Sequence, residues 1–327
     1  MKRRRFGRTG IEISELVFGG GFVGGILIDA DDDTRREAIR RALDGGVNWI
    51  DTAASYGQGR SETALGWLLA ELDDAPHLST KVGLDLANLD DIPGQIERSL
   101  DESLTRLGRD SVDLVQLHNP LGPPDDVATL NVQDVLKDGG VADTFDRLRK
   151  EGRMDHVGFT ALGDAAACRQ VIDSGRFDAA QVYYNMINPS AGRTMPAKWH
   201  GHDYDGIIDA CRRRDMGVMA IRILAAGVLA TNVRTGREIP VSSHTDVPSE
   251  ERRARAAFAA LGDRYGTRAQ TAVRFAVSNP DVSCAIVGLA TLDHLDEALA
   301  GAESGALPDE ALALLDNVYA VGFEDVG

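Results

Sequence analysis

Cysteine is scarce. Cys168, Cys211 and Cys284 are three thiols in 327 residues, odd in number, far apart and set in apolar or helical contexts, so buried free thiols are expected rather than a disulfide framework. Positive charge is short as well, with 35 Lys and Arg against 51 Asp and Glu and a formal charge of −16. That balance argues against nucleic acid and anionic membrane surfaces, since both require a basic surface to neutralise phosphate, and any anionic ligand must be held by a local site. No run of about 18 apolar residues is present to span a bilayer, and the basic start Lys2-Arg3-Arg4-Arg5 lacks the apolar segment of a secretory signal. A cytoplasmic protein is expected. Metal ligands do not cluster: His200-Gly201-His202 has no third or fourth ligand at a recognisable spacing, so no metal site is expected.

What is present is a globular composition, 43% hydrophobic and 26% charged, which excludes disorder and fibrous repeats. The chain alternates apolar, β-branched runs with amphipathic segments that open on Asp, Ser or Thr. "ELVFGG", "VNWIDTA", "HLSTKVGL", "VDLVQLHNP", "MDHVGFT", "AAQVYYN", "GVMAIRIL" and "SCAIVGL" are the eight runs, each followed by a helical pattern. Near-continuous apolar strands separated by helices imply a parallel sheet covered on its outer face. Eight such units without a second, compositionally distinct region predict an α/β fold of the (β/α)8 TIM-barrel type, a single domain over residues 1–327. Ahead of the first unit, "RRRFGRTGIEIS" carries Thr9-Gly10 between two short stretches and reads as a β-hairpin capping the barrel bottom.

The stretch "FGGGFVGG" satisfies the G-x-G-x-x-G pattern of dinucleotide-binding proteins over Gly19 to Gly24. A Rossmann loop, however, needs its third glycine at the start of a helix, so that the helix N-terminus faces the pyrophosphate. Here the helix start signal comes only at the Asp29 to Thr34 cluster. The stretch is instead the first loop over the barrel's C-terminal face, where its glycines let backbone approach a ligand closely, with Gly20 and Gly21 as candidate contacts.

Polar residues at the C-terminal ends of the strands are the ones that carry chemistry, because a charge there is costly unless used. The second strand ends at Asp51 with Tyr56 following, the third at Lys81, and the fourth at His118. A phenol has an ordinary pKa of about 10. A neighbouring ammonium favours the phenolate, and a carboxylate paired with the Lys keeps it charged and aimed. Tyr56 can then give a proton to a carbonyl oxygen while a neutral His118 donates a hydrogen bond to the same oxygen. Nothing in the set supplies a hydride, so a nicotinamide has to.

The segments "GVNWIDTAASYGQGRSETALG", "LSTKVG" and "VDLVQLHNP" resemble the signature segments of the aldo-keto reductases, (β/α)8 barrels that reduce carbonyls with NADPH or NADH. The resemblance implies Tyr56 as general acid/base, Lys81 and Asp51 tuning it, and His118 orienting the carbonyl. It puts Gln181 where the family holds the nicotinamide carboxamide and Thr160 where it usually has Ser, with Ala161 in place of the following Asn and Ile221 in place of an aromatic that stacks on nicotinamide. Arg222, odd for a buried strand, is assigned a cofactor phosphate or a substrate anion. "VGLATLDHLDEALA" resembles the adenosine-phosphate loop, with Gly288 and Glu297 in place. Ala290, His294 and Ala298 replace the basic residue, Gln and Asn, so NADH and NADPH are expected to bind with more similar affinity than in a typical member.

Two long loops, "LGPPDDVATLNVQDVLKDGG" and "NPSAGRTMPAKWHGHDY", are placed to shape a substrate pocket or an oligomer contact, with Trp199 the candidate substrate-facing aromatic or else a packing residue, and a homo-oligomer left open. The expected activity is hydride exchange between a nicotinamide cofactor and a small-molecule aldehyde, ketone or matching alcohol. Two alternatives are an NAD-preferring sugar or pyridoxal-type dehydrogenase running oxidatively, and a cofactor-binding regulatory subunit with little turnover.

Overall fold

The chain begins with two short antiparallel strands, β1 (Arg3–Arg5) and β2 (Glu12–Ser14), joined through a 3-10 turn at Gly7–Thr9. The computed structural model describes residues 1–21, 23–234, 236, 238–239 and 245–323. Next come β3 (Leu16–Gly19), β4 (Trp49–Asp51), β5 (His77–Val82) and β6 (Val112–Leu117). A side excursion after β6 carries two two-residue strands, β7 (Leu121–Gly122) and β8 (Leu130–Asn131). The chain then returns through β9 (Met154–Ala161), β10 (Ala179–Tyr183), β11 (Gly217–Ile221) and β12 (Cys284–Gly288).

Strands β3, β4, β5, β6, β9, β10, β11 and β12 close into a parallel barrel in that order, β12 pairing with β3 through Ala285 opposite Leu16. The eight apolar runs of the sequence are these eight strands. Helices between them cover the outside, and several start where an Asp or Thr accepts a backbone N–H: Asp31 from Thr34, Asp164 from Ala167, Thr267 from Gln270 and Thr291 from His294. These caps satisfy amides that have no partner inside the helix, so the starts legible in the sequence coincide with the helix starts.

The hairpin plugs the bottom as its pattern implies. Phe6 is fully buried in the barrel interior, edge-on to Trp49 at 5.3 Å between ring centroids, with Ile13, Leu114 and Met219 in the same cluster. Gly217 is required there, since a Cβ on it would stand 2.3 Å from the Phe6 ring. At the opposite end the glycine stretch runs across the mouth. Its Phe22 lies outside the described residues. Gly24 abuts the chain after β12, where a Cβ would come within 2.1 Å of the Leu289 amide nitrogen. One detail differs from the expectation: a four-residue helix, Ile26–Asp29, starts directly after Gly25, ahead of the longer helix Asp32–Asp44. The short turn forms because the Ile26 amide donates to the Leu289 carbonyl at 2.9 Å, a long-range contact invisible to local signals.

Candidate active site

Asp51 ends β4 and Lys81 stands one residue from the end of β5, so both side chains meet inside the upper barrel. Lys81 is 1% exposed, and its Nζ donates to Asp51 Oδ2 at 2.6 Å, to the Thr52 carbonyl at 2.8 Å and to the Tyr56 hydroxyl at 3.1 Å. Burial works against the Lys81 charge, but the neighbouring Asp51 carboxylate and Tyr56 outweigh it and raise its pKa above the ordinary value. The ammonium therefore persists in a site where an unpaired cation would lose its proton. Asp51 is held in turn: its Oδ1 accepts from Ser79 Oγ at 2.7 Å, Gln181 Nε2 at 2.8 Å and Gln116 Nε2 at 3.2 Å.

Tyr56 sits on the loop after β4, just before three successive left-handed residues, Gly57, Gln58 and Gly59, with φ of 60°, 57° and 85°. That turn leads into the helix Arg60–Ala70. The loop is backed by Glu62, fully buried, which accepts from Thr80 Oγ1 at 2.5 Å and from Arg106 Nε at 2.7 Å, while the Ser61 and Thr52 hydroxyls meet at 2.8 Å. His118 follows β6 and packs edge-on to Tyr56, 5.7 Å between ring centroids. Burial, then the Lys81 charge, pushes its pKa down to about 3, so the imidazole is neutral at physiological pH. The structure thus brings Asp51, Tyr56, Lys81 and His118 together from three consecutive strand ends. Ser79, Gln116 and Glu62 were not singled out from the sequence. The only signal for Gln116 and Ser79 was a polar residue interrupting an apolar run.

Two polar atoms in this region are buried with no partner among the described residues, Thr160 Oγ1 and Gln116 Oε1. Gln181 lies beside Thr160 in the β9–β10 register, and Gly21 borders Tyr56, where a Cβ would reach 3.7 Å from the phenol ring. Gly20 is tighter, its Cβ position being 2.6 Å from Ser61 Oγ.

A model of the aldo/keto reductase family matches residues 15–320. The chain belongs to the aldo/keto reductase family. Among curated relatives it is 23% identical to L-galactose dehydrogenase of Arabidopsis thaliana, covering 96% of this chain and 93% of that one. It is 22% identical to pyridoxal 4-dehydrogenase of Microbacterium luteolum, covering 94% and 95%. A solved aldo-keto reductase from Bacillus halodurans, in its holo form, shares the fold with a TM-score of 0.75 at 19% identity over 99% of each chain. The protein is accordingly a nicotinamide-dependent oxidoreductase acting between carbonyl and alcohol. Among the described residues no helix is long and apolar enough to cross a membrane.

In this aldo/keto reductase the remaining candidates are spread round the mouth. Arg222 follows β11 with a positive φ of 58°, is half-buried, and donates to the Ile239 carbonyl at 3.0 Å, with no carboxylate in ion-pair range among the described residues. Gly288 ends β12 opposite Gly19 of β3 and lies against Gly24. Glu297, in the helix Leu292–Glu303, accepts from the Thr267 hydroxyl. Trp199 lies away from the Tyr56 cluster's hydrogen bonds: Arg253 covers its ring at 4.4 Å, Phe323 stands 6.0 Å away, and its indole N–H donates to the His202 carbonyl at 3.3 Å.

Proposed function

We propose that Tyr56 is the general acid and base of carbonyl–alcohol interconversion, with Lys81 and Asp51 tuning it and His118 orienting the substrate oxygen. The observation that carries this reading is the fully buried Lys81 ammonium, bonded at once to the Asp51 carboxylate and to the phenol hydroxyl. Lys81 Nζ donates to the phenol oxygen at 3.1 Å, which leaves the hydroxyl's own proton for an oxygen gaining negative charge, and Tyr56 recovers it in the reverse direction. Neutral His118 can donate to that oxygen without competing as a cation. A bound nicotinamide supplies the two-electron chemistry that none of these side chains can.

The residues present fit such a cofactor. Thr160 Oγ1 and Gln116 Oε1 are buried polar atoms without partners, which a carboxamide can satisfy, and buried polar groups left unpaired are costly. Thr160 and Gln181, with Gly21 leaving room beside the phenol and Gly20 packed against Ser61 behind it, are assigned to the nicotinamide end. Arg222, Gly288 and Glu297 are assigned to the phosphates and adenosine. With Ala290 where a basic residue would grip a 2′-phosphate, both NADH and NADPH serve. Trp199, held between Arg253 and Phe323, has a packing role instead of facing the substrate, and residues 1–327 work as one domain. The three buried thiols suit a cytoplasmic setting.

A second reading, a sugar or pyridoxal-type dehydrogenase running oxidatively with NAD, is favoured by the names of two relatives that span more than nine-tenths of the chain. Both readings share one mechanism and one test. Tyr56→Phe keeps dinucleotide binding, measured by fluorescence, and loses about 10²- to 10⁴-fold in turnover of a nitrobenzaldehyde or a sugar alcohol. Unchanged turnover removes Tyr56 from the mechanism. A wild-type protein that binds dinucleotide and turns over no carbonyl, sugar or alcohol is a regulatory subunit instead.

A further inference from the structure

A cavity of about 530 Å³ opens between the segment after β11 and the helix Val247–Leu261. Three arginines line it, and they are not alike. Arg234 is neutralised by a two-point pair with Glu251, at 2.7 and 3.0 Å. Arg268, the first residue of the helix Arg268–Ser278, has no carboxylate in ion-pair range among the described residues. Its guanidinium lies 4.2 Å over the Phe258 ring and donates to the Val228 carbonyl at 3.1 Å and to Asn232, while its Nε is buried without a partner among the described residues. Arg255 is exposed and forms no ion pair among the described residues, and its charge bears on both Arg268 and Glu251. Burial first, then Arg255, pushes the Arg268 pKa below its ordinary value.

Glu238 and Glu251 line the same cavity and Arg255 is exposed, its charge acting on Glu251 as well, so Arg268 is the half-buried cation there with no carboxylate in ion-pair range among the described residues. A half-buried guanidinium with a buried nitrogen left unbonded is costly unless an anion meets it, and the guanidinium fork matches phosphate oxygens in geometry. The cavity also has a position. Its floor at Gly227 and Val228 continues from Arg222, and Thr267, the residue before Arg268, donates its hydroxyl to Glu297. It therefore lies between the two stretches assigned above to the phosphate and adenosine end of the dinucleotide.

We propose that Arg268, supported by Arg255, grips a phosphate group of the bound nicotinamide dinucleotide. The proposal rests on the cofactor reading above.

Fluorescence titration of NADH and NADPH against wild type and Arg268→Gln tests it. Losing a charge-assisted phosphate contact weakens binding by about ten- to a hundredfold. An equal loss with both cofactors assigns the shared pyrophosphate, the result that agrees with Ala290, and a loss confined to NADPH assigns the 2′-phosphate. Unchanged affinity for both overturns the proposal. Because Arg268 also stacks on Phe258, Arg255→Gln is the second variant, expected to keep the wild-type melting temperature and weaken the same cofactor by a smaller factor. If wild type binds neither dinucleotide, the cofactor reading fails. Calorimetry with inorganic pyrophosphate then decides the anion site by itself: binding to wild type that both variants lose keeps a phosphate site without the dinucleotide, and no binding removes it.

Discussion

His118 shows how one residue's surroundings decide its use. Free imidazole titrates in the physiological range, but burial beside Lys81 lowers His118 to about 3 from an ordinary 6.5. Below pH 6.5 the unfolded chain then binds a proton that the folded chain refuses, so this group costs stability progressively as pH falls from 6.5 toward 3. Urea midpoints of wild type and His118→Gln at pH 7 and pH 4.5 check the sign: wild type loses more stability on acidification than the variant, and equal losses would contradict the depressed pKa. The residue types at strand ends, Asp51, Lys81 and His118, were legible because a polar group closing an apolar run has few structural uses. Gln116, Ser79 and Glu62 were not. Gln116 and Ser79 donate to Asp51 and Glu62 backs the Tyr56 loop, roles set by which strands and helices become neighbours rather than by any spacing along the chain.

At the scale of elements, the hairpin β1–β2 has one task, to carry Phe6 and Ile13 into the open end of the barrel. Phe6→Ala leaves a cavity against Trp49 and Met219 that the surrounding strands cannot collapse into, at a cost of about 3 to 5 kcal/mol. The shift in urea midpoint measures it, and a loss below about 1 kcal/mol would mean the plug is dispensable. Because Tyr56 and Lys81 occupy the opposite end, turnover per folded molecule is expected to stay near wild type. Strand positions were readable throughout, since parallel strands buried on both faces are nearly continuous apolar runs. The helix Ile26–Asp29 was not readable, because a distant carbonyl at Leu289 nucleates it. Nor was the segment after β11, where Arg222, Ala225 and Ala226 adopt positive φ values of 58°, 46° and 52° that no local rule assigns to such residues.

For the whole molecule, the net charge of −16 is a standing self-repulsion in the folded state. Raising salt from about 10 mM to about 150 mM shortens the screening length from about 30 Å to about 8 Å. The melting temperature is expected to rise over that range, because surface arginine–carboxylate pairs such as Arg36–Glu71 and Arg40–Asp44 are exposed and contribute little individually. A fall in thermal scans would show that those pairs, taken together, outweigh the repulsion. The sequence by itself determined the barrel, its plugging hairpin and the four polar residues at its mouth, because periodicity and strand-end position are properties of the chain read locally. Only the tertiary structure decided which donors hold Asp51, that Thr160 and Gln116 keep unpaired polar atoms, and that Arg255 and Arg268 share one cavity. Those are relations between residues far apart in sequence, and closure of the barrel is what sets them side by side.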